Sequence, residues 1–160
     1  MGDNFGTVSI VDSTRKIVVD RFKIPSLNGR RIISLSSATI DWVGTQLSYV
    51  AVVARGSPQV HILTFKHSDC KLKHSYSLNL VPELQNLETP ELNNDQKYLK
   101  FPYEVKLSQE FAFLAVTLVS GEVKLFRMPS IYNPLEMPTP TPEVVAQQPT
   151  AGKDAKLQTK

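Results

Sequence analysis

Alternating apolar and polar residues form short runs along most of the chain. In residues 6–12, Gly-Thr-Val-Ser-Ile-Val-Asp, Val8 and Ile10 fall on one face of an extended strand and hydroxyl residues fall on the other. Two later runs, 59–65 and 121–127, are similar. Alternation of this kind is typical of half-buried β-strands, and no segment has a convincing apolar period of ~3.6 residues. The sequence therefore predicts an all-β fold.

Turn residues divide the chain into predicted strands. Glycine and asparagine tolerate positive φ and proline fixes φ, so clusters of these residues are typical of turns. We expect turns at 13–16, 25–29, 41–45, 56–58, 108–110 and 120–121. The strands predicted between them are 6–12, 17–24, 31–40, 47–54, 59–65, 71–80, 103–107, 111–119 and 122–128.

Three predicted strands have patterns that indicate their depth in the fold. Strands 47–54 and 111–119 are apolar on both faces, and such strands are buried on both sides. In 71–80 every odd position is Lys, Ser or Asn and every even position is Leu, His or Tyr. Alternate residues of a strand lie on opposite faces, so one face of this strand is predicted to be exposed to solvent, the wet face. We expect 71–80 to be an outer edge strand and the two apolar strands to lie between covering sheets.

Two segments depart from the strand pattern. Residues 81–102 are interrupted by prolines, and a loop of this length inside a compact domain is often functional. Residues 133–160 are rich in Pro, Thr and Lys and contain few apolar residues. Because such a composition cannot bury enough apolar surface to fold, we predict a disordered tail after a domain at 1–132.

The strand patterns repeat in one order: an alternating strand, a doubly apolar strand, a strand that opens near glycine, and an alternating edge strand. The 6–12 run resembles the third strand of a WD-repeat blade, in which a glycine-rich turn precedes an alternating strand ending in Trp-Asp; here Val11 takes the place of the Trp. The resemblance covers residues 2 to about 129 with degenerate motifs. The usual Gly-His dipeptide is missing, and Asp41-Trp42 is predicted to lie in a turn. The resemblance implies antiparallel four-stranded blades of a β-propeller.

The chain has strands for only about two to two and a half such blades, whereas a closed propeller needs at least four. The spacings between Val8, Val60 and Val123 also exceed the ~40 to 45 residues of a typical blade unless much of 81–102 is discounted. We therefore expect an incomplete propeller, either a fragment or short form of a larger one or a chain completed by another polypeptide. The alternative is a self-contained β-sandwich.

Composition limits the location and the class of partner. The 160 residues carry a formal net charge of +3, which is too small to identify a partner. The lone Cys70 excludes an intrachain disulfide and fits a reducing compartment. No signal-peptide pattern opens the sequence, and its longest apolar run, 111–119, is much shorter than the ~20 residues of a membrane-spanning helix. We expect a cytoplasmic protein without membrane contact; propeller families also serve cytoskeletal and ciliary assemblies.

Few residues are candidates for catalysis or metal binding. His67, Cys70 and His74 have a His-x2-Cys-x3-His spacing, but structural zinc needs a fourth ligand, and His74 falls on the apolar face of its strand. The sequence has no Gly-x-Ser-x-Gly elbow and no phosphate-binding glycine loop. We therefore predict no enzyme, and no catalytic, cofactor-binding or metal-binding residue.

These patterns favour a non-catalytic scaffold that docks other proteins of a larger complex, or the missing blades of its own propeller. We expect docking through blade edges and the 81–102 loop. The residues predicted to contact partners are Leu84, Leu87, Leu92, Tyr98, Arg30 and Arg31. The alternative is a nucleic-acid-associated β-domain that uses the basic region 15–31. Only Phe22 offers an aromatic ring for base stacking there, which disfavours nucleic acid.

Overall fold

The computed structural model describes residues 1–80, 94–128 and 139–140. These residues form antiparallel β-sheets, none of them closed into a barrel, with a 3-10 helix at Pro25–Leu27 and one α-helix, α1, at Asn94–Leu99. The predicted all-β fold is confirmed. Helix α1 lies in the predicted 81–102 loop and was not predicted, because its six residues are too few to show a helical apolar period.

The first sheet is a hairpin of β1 (Thr7–Asp12) and β2 (Ile17–Lys23). The predicted 13–16 turn connects the two strands. Asp12 stabilises this turn, because its Oδ1 accepts hydrogen bonds of 2.9 Å from the backbone N–H groups of Thr14 and Arg15.

The second sheet contains four strands in sequence order, β3 to β6, at Ile32–Trp42, Thr45–Ala54, Gln59–Lys66 and Lys71–Asn79. Each strand pairs antiparallel with the next. Strand β6 therefore lies at an edge of the sheet, as predicted.

The third sheet contains β7 (Pro102–Leu107), β8 (Phe113–Leu118), β9 (Val123–Arg127) and β10 (Thr139–Pro140), also in sequence order. Strand β10 pairs with Arg127 and Phe126 at the end of β9. Within the predicted tail, 133–160, these two β10 residues are the part that the structure describes.

The turn between β3 and β4 is narrower than predicted. Asp41 and Trp42 pair with β4 as strand residues, so the turn consists of Val43 and Gly44 alone. Both turn residues have positive φ, 47° and 72°. Two-residue hairpin turns of type I′ require this geometry. The prediction that Asp41 and Trp42 lie in a turn is wrong.

The three sheets pack face to face, with the second sheet in the middle. The hairpin core lies between the first and second sheets and includes Val8, Leu27, Val50, Val52 and Leu63. The main core lies between the second and third sheets and includes Tyr49, Ala51, Val53, Ile62, Leu114 and Val116. Alternate residues of β4 enter opposite cores, so β4 is buried on both faces, as predicted.

A β-bulge in β6 divides the apolar residues of this strand between the two cores. The pairing of β5 with β6 skips Ser75. An extra residue reverses the side-chain alternation beyond it. Leu72 therefore packs in the hairpin core and Leu78 in the main core. The prediction of a single wet face along 71–80 is wrong.

Serine hydroxyls of β3 join the second sheet to the third. Ser34 Oγ accepts a hydrogen bond of 3.1 Å from the backbone N–H of Val105, and Ser36 Oγ accepts one of 2.8 Å from that of Leu107. Strand β7 is at the edge of its sheet and has no strand neighbour on this side. The serines therefore satisfy amide groups that the ladder of the third sheet leaves unpaired.

Candidate interaction surfaces

The third sheet has an apolar face that no other described residue covers. Leu114 and Val116 of β8 enter the main core. Because side chains alternate along a strand, Phe113 and Ala115 lie on the opposite face, where β9 places Leu125 directly across from Ala115. We call this surface the outer face; it consists of Phe113, Ala115, Thr117, Val123 and Leu125. Exposed fractions of 42% for Phe113, 44% for Leu125 and 62% for Val123 show that its largest side chains meet solvent.

Charged residues border the outer face. On β7, Glu104 pairs across from Thr117 and Lys106 from Ala115, and the two charged side chains approach to 4.0 Å. On β9, Arg127 pairs across from Phe113. An apolar strip with a charged margin matches the core and rim of a protein–protein interface.

Strands β4 and β8 are alike in their apolar character but differ in what packs against them. Both are apolar along most of their length, and both were predicted to be buried on two faces. Strand β4 has the first sheet on one side and the third on the other. Strand β8 is covered on the main-core side only, so the prediction for 111–119 is wrong for the described residues.

The chain itself partly occupies the sheet edges that were predicted as docking sites. Along β1, Met1 and Ser9 exchange two backbone hydrogen bonds of 2.7 Å. Along β6, Asp20 Oδ2 accepts a hydrogen bond of 2.7 Å from the backbone N–H of Leu72. Protected edges resist addition of a further strand. Among the described residues, the open apolar surface is therefore a face rather than an edge.

A second surface is a cleft of about 220 Å³ at one end of the second and third sheets. Its lining brings together residues from the start of β3, the β4–β5 turn, α1 and β7. Two of them, Arg31 and Tyr98, were predicted to contact partners. The full lining is Arg31, Ile33, Arg55, Gly56, Tyr98, Phe101, Pro102, Tyr103 and Val119.

Backbone hydrogen bonds hold the cleft walls in place. The N–H of Arg55 donates to the carbonyl of Arg31 at 2.8 Å, which extends the β3–β4 ladder by one pair. The N–H groups of Val119 and Ser120 donate to the carbonyls of Phe101 and Leu99, both at 2.9 Å, and so fix the end of α1 against the β8–β9 turn. Backbone hydrogen bonds at the ends of strands and of α1 therefore fix the walls of the cleft.

The remaining residues predicted to contact partners are Arg30 and three leucines. Arg30 is exposed, and its Nη1 donates to the carbonyl of Gly56 in the cleft wall. Leu84, Leu87 and Leu92 lie outside the described residues. The structure therefore brings Arg30, Arg31 and Tyr98 to one end of the sheets.

The basic region 15–31 extends along the whole of β2, where Arg21 and Lys23 are exposed. Arg15 lies at the β1–β2 turn, where it approaches Asp12 to 3.8 Å. Arg30 and Arg31 lie beyond the other end of β2. A strand of this length spans roughly 20 Å, because each residue adds ~3.3 Å. Nucleic-acid binding through this region remains an untested prediction.

The residues with zinc-like spacing do not converge. His67 Nε2 lies 2.8 Å from Ser48 Oγ, in hydrogen-bonding distance. Cys70 is exposed, and its Sγ donates to the carbonyl of His67 at 3.4 Å. His74 belongs to a separate polar cluster. In the part of the chain that the structure describes, no three His, Cys, Asp or Glu side chains are arranged to hold a metal ion.

That cluster is centred on His61, a buried residue whose role in a polar cluster was not predicted from the sequence. Its Nδ1 lies 2.8 Å from Ser77 Oγ, which in turn lies 3.0 Å from His74 Nε2. Burial, with a smaller effect from His74, lowers the pKa of His61 to about 4. His61 is therefore neutral at pH 7. A histidine inside an apolar strand run was the signal available in the sequence.

No protein-family model and no curated protein matches this chain. Among the described residues, no helix has the length and hydropathy needed to cross a bilayer.

Proposed function

We propose that this chain is a non-catalytic protein-interaction scaffold, an incomplete WD-repeat-like propeller of about two to two and a half blades that works in the cytoplasm within a multi-protein assembly. A partner sheet, from another protein or from further blades, docks on the outer face. The observation that supports this most is the contrast between β4, covered on both faces, and β8, open on one.

Burial of the outer face would contribute favourable free energy to docking. Fully burying a Val, Leu or Phe side chain stabilises by about 1.5 to 3 kcal/mol. Phe113, Val123 and Leu125 are each roughly half exposed, so a covering sheet would add about 1 kcal/mol per side chain. Together they contribute about 3 kcal/mol, on the order of a hundredfold in affinity, before the entropic cost of association.

Site-specific photo-crosslinking tests the proposal. A photoreactive phenylalanine analogue replaces Phe113, and any protein that it captures in cells is purified and its affinity for the full chain is measured. We expect Leu125→Glu to weaken that binding at least tenfold, because it places a charge in the apolar strip. Val18→Glu is the matched control, since Val18 is exposed to almost the same extent on β2.

Equal affinities of the L125E and V18E variants for the captured protein would contradict the proposal, as would the absence of any crosslink from position 113. Thermal unfolding of both variants checks that each is folded. A partner captured from position 113 that binds wild type and V18E alike but not L125E would support it.

A further inference from the structure

The cleft lined by Arg31 and Arg55 contains an unusual arrangement of charge. The two arginines are cross-strand neighbours, because the N–H of Arg55 donates to the carbonyl of Arg31. Directly opposed residues of an antiparallel pair have side chains on the same face, about 5 Å apart at Cβ, and like charges there repel each other. Both arginines line one cleft.

Among the side chains that the structure describes, no carboxylate forms an ion pair with Arg31 or Arg55. The ion pairs there involve other cations, and Glu104, which shares a neighbouring depression with Arg31, approaches Lys106 instead. Arg30 adds a third guanidinium group beside the cleft wall through its bond to Gly56. Clustered guanidinium groups without an acidic partner are well suited to bind a carboxylate, with two parallel hydrogen bonds from each fork.

Aromatic rings form another part of the cleft lining. Tyr98 and Phe101 contact each other edge to face, with ring centroids 5.8 Å apart, and Tyr103 is exposed at the opening. Such rings offer apolar contact area for a side chain next to the bound carboxylate, and tyrosine hydroxyls can donate hydrogen bonds. At about 220 Å³ the cleft is large enough for a side chain or two rather than a folded domain.

We propose that this cleft binds an acidic peptide segment of a partner protein, with a Glu or Asp carboxylate on Arg31 and Arg55 and an apolar neighbour against the aromatic rings. A peptide fits better than RNA, because a phosphate backbone needs a continuous basic groove, whereas this cleft of about 220 Å³ accommodates a side chain or two. This inference relies on the proposed scaffold function only in taking the ligand to be a protein, and it concerns a surface separate from the outer face.

Fluorescence anisotropy with the full chain tests this. The probe is a labelled decapeptide of alternating Glu and Leu, and the comparison ligands are the Gln/Leu peptide and an oligouridine. We expect the Glu peptide to bind at least tenfold more tightly than the Gln peptide, since hydrogen bonds between guanidinium and carboxylate groups are stronger than those to a neutral amide. Arg31→Gln and Arg55→Gln each weaken binding at least tenfold, and higher salt weakens it further.

The matched control is Arg15→Gln, which removes an exposed arginine at the far end of the hairpin and leaves binding unchanged. L125E also leaves peptide binding unchanged, so failure of this inference and failure of the outer-face proposal are distinguishable. The inference is overturned if the Glu peptide does not bind, if the R31Q/R55Q double variant binds it like wild type, or if oligouridine binds more tightly in an Arg31-dependent manner. Thermal unfolding of each arginine variant separates lost binding from lost folding.

Discussion

Two adjacent valines of β4 provide a direct test of the three-layer stack. Val52 and Val53 are both fully buried, but Val52 packs in the hairpin core and Val53 in the main core. Substitution by alanine removes two methyl groups, at about 0.8 kcal/mol each, and leaves a cavity that adds to the cost. We expect V52A and V53A each to lower the free energy of unfolding by about 2 to 3 kcal/mol. Val123→Ala, on the exposed outer face, should lower it by less than about 1 kcal/mol.

Urea and thermal unfolding of the full-length chain measure these differences. For a domain of this size, 1 kcal/mol corresponds to a change in Tm of roughly 3 to 6 °C, so the two core variants should melt about 10 °C below V123A. The m-value should stay constant, because a change in m would indicate altered compactness rather than a local cavity. If V52A is as mild as V123A while V53A is severe, the hairpin does not cover the second sheet and the three-layer stack is refuted.

Further predictions concern the sheet junction, the buried histidine and the strained turn. Ser34→Ala should lower stability by about 1 to 2 kcal/mol in urea unfolding, because it leaves the N–H of buried Val105 unpaired, whereas exposed Ser37→Ala should change it by less than about 0.5 kcal/mol. His61 has a lower pKa when folded than when unfolded, so the unfolded chain binds the additional proton and stability falls as pH decreases from about 6.5 to about 4. The full loss is roughly 3 kcal/mol, and a H61Q variant that keeps the same pH dependence in that window would contradict the assignment. Val43→Asn should raise Tm and stabilise by about 1 kcal/mol, since asparagine tolerates positive φ better than a β-branched residue; a lower Tm would contradict this.

The strand order could be predicted from the sequence because it follows from local patterns. Period-two alternation and turn residues predict the ends of strands β3 to β6 to within two residues. The doubly apolar sequence of β4 also predicts that both of its faces are buried. The errors have local causes too. The bulge at Ser75 reverses the faces of β6 without a glycine to mark it. The turn at Val43 places a β-branched residue at positive φ, which propensity argues against.

The candidate surfaces were harder to predict because they depend on contacts between residues far apart in the chain. Arg31 and Tyr98 were both selected as partner-binding residues, but only the folded β3–β4 ladder and α1 place them in one cleft. Arg55 was not selected, since nothing in its local sequence shows that it lies across from Arg31. Phe113 and Leu125 were not selected either. For Phe113 the sequence offered a signal, because the apolar run 111–119 has apolar residues on a second face as well.

That second face connects the fold to the proposed function. The third sheet needs only its inner residues, such as Leu114 and Val116, to pack on the main core. A polar outer face would satisfy folding equally well, because antiparallel sheets commonly have one face in solvent. Phe113 and Leu125 instead carry large apolar side chains there that are 42% and 44% exposed. Strand β4 shows how the same kind of sequence behaves when both faces are covered. We therefore propose that a covering sheet explains the outer residues of β8 and β9, and binding measured with L125E is the experiment that addresses this explanation directly.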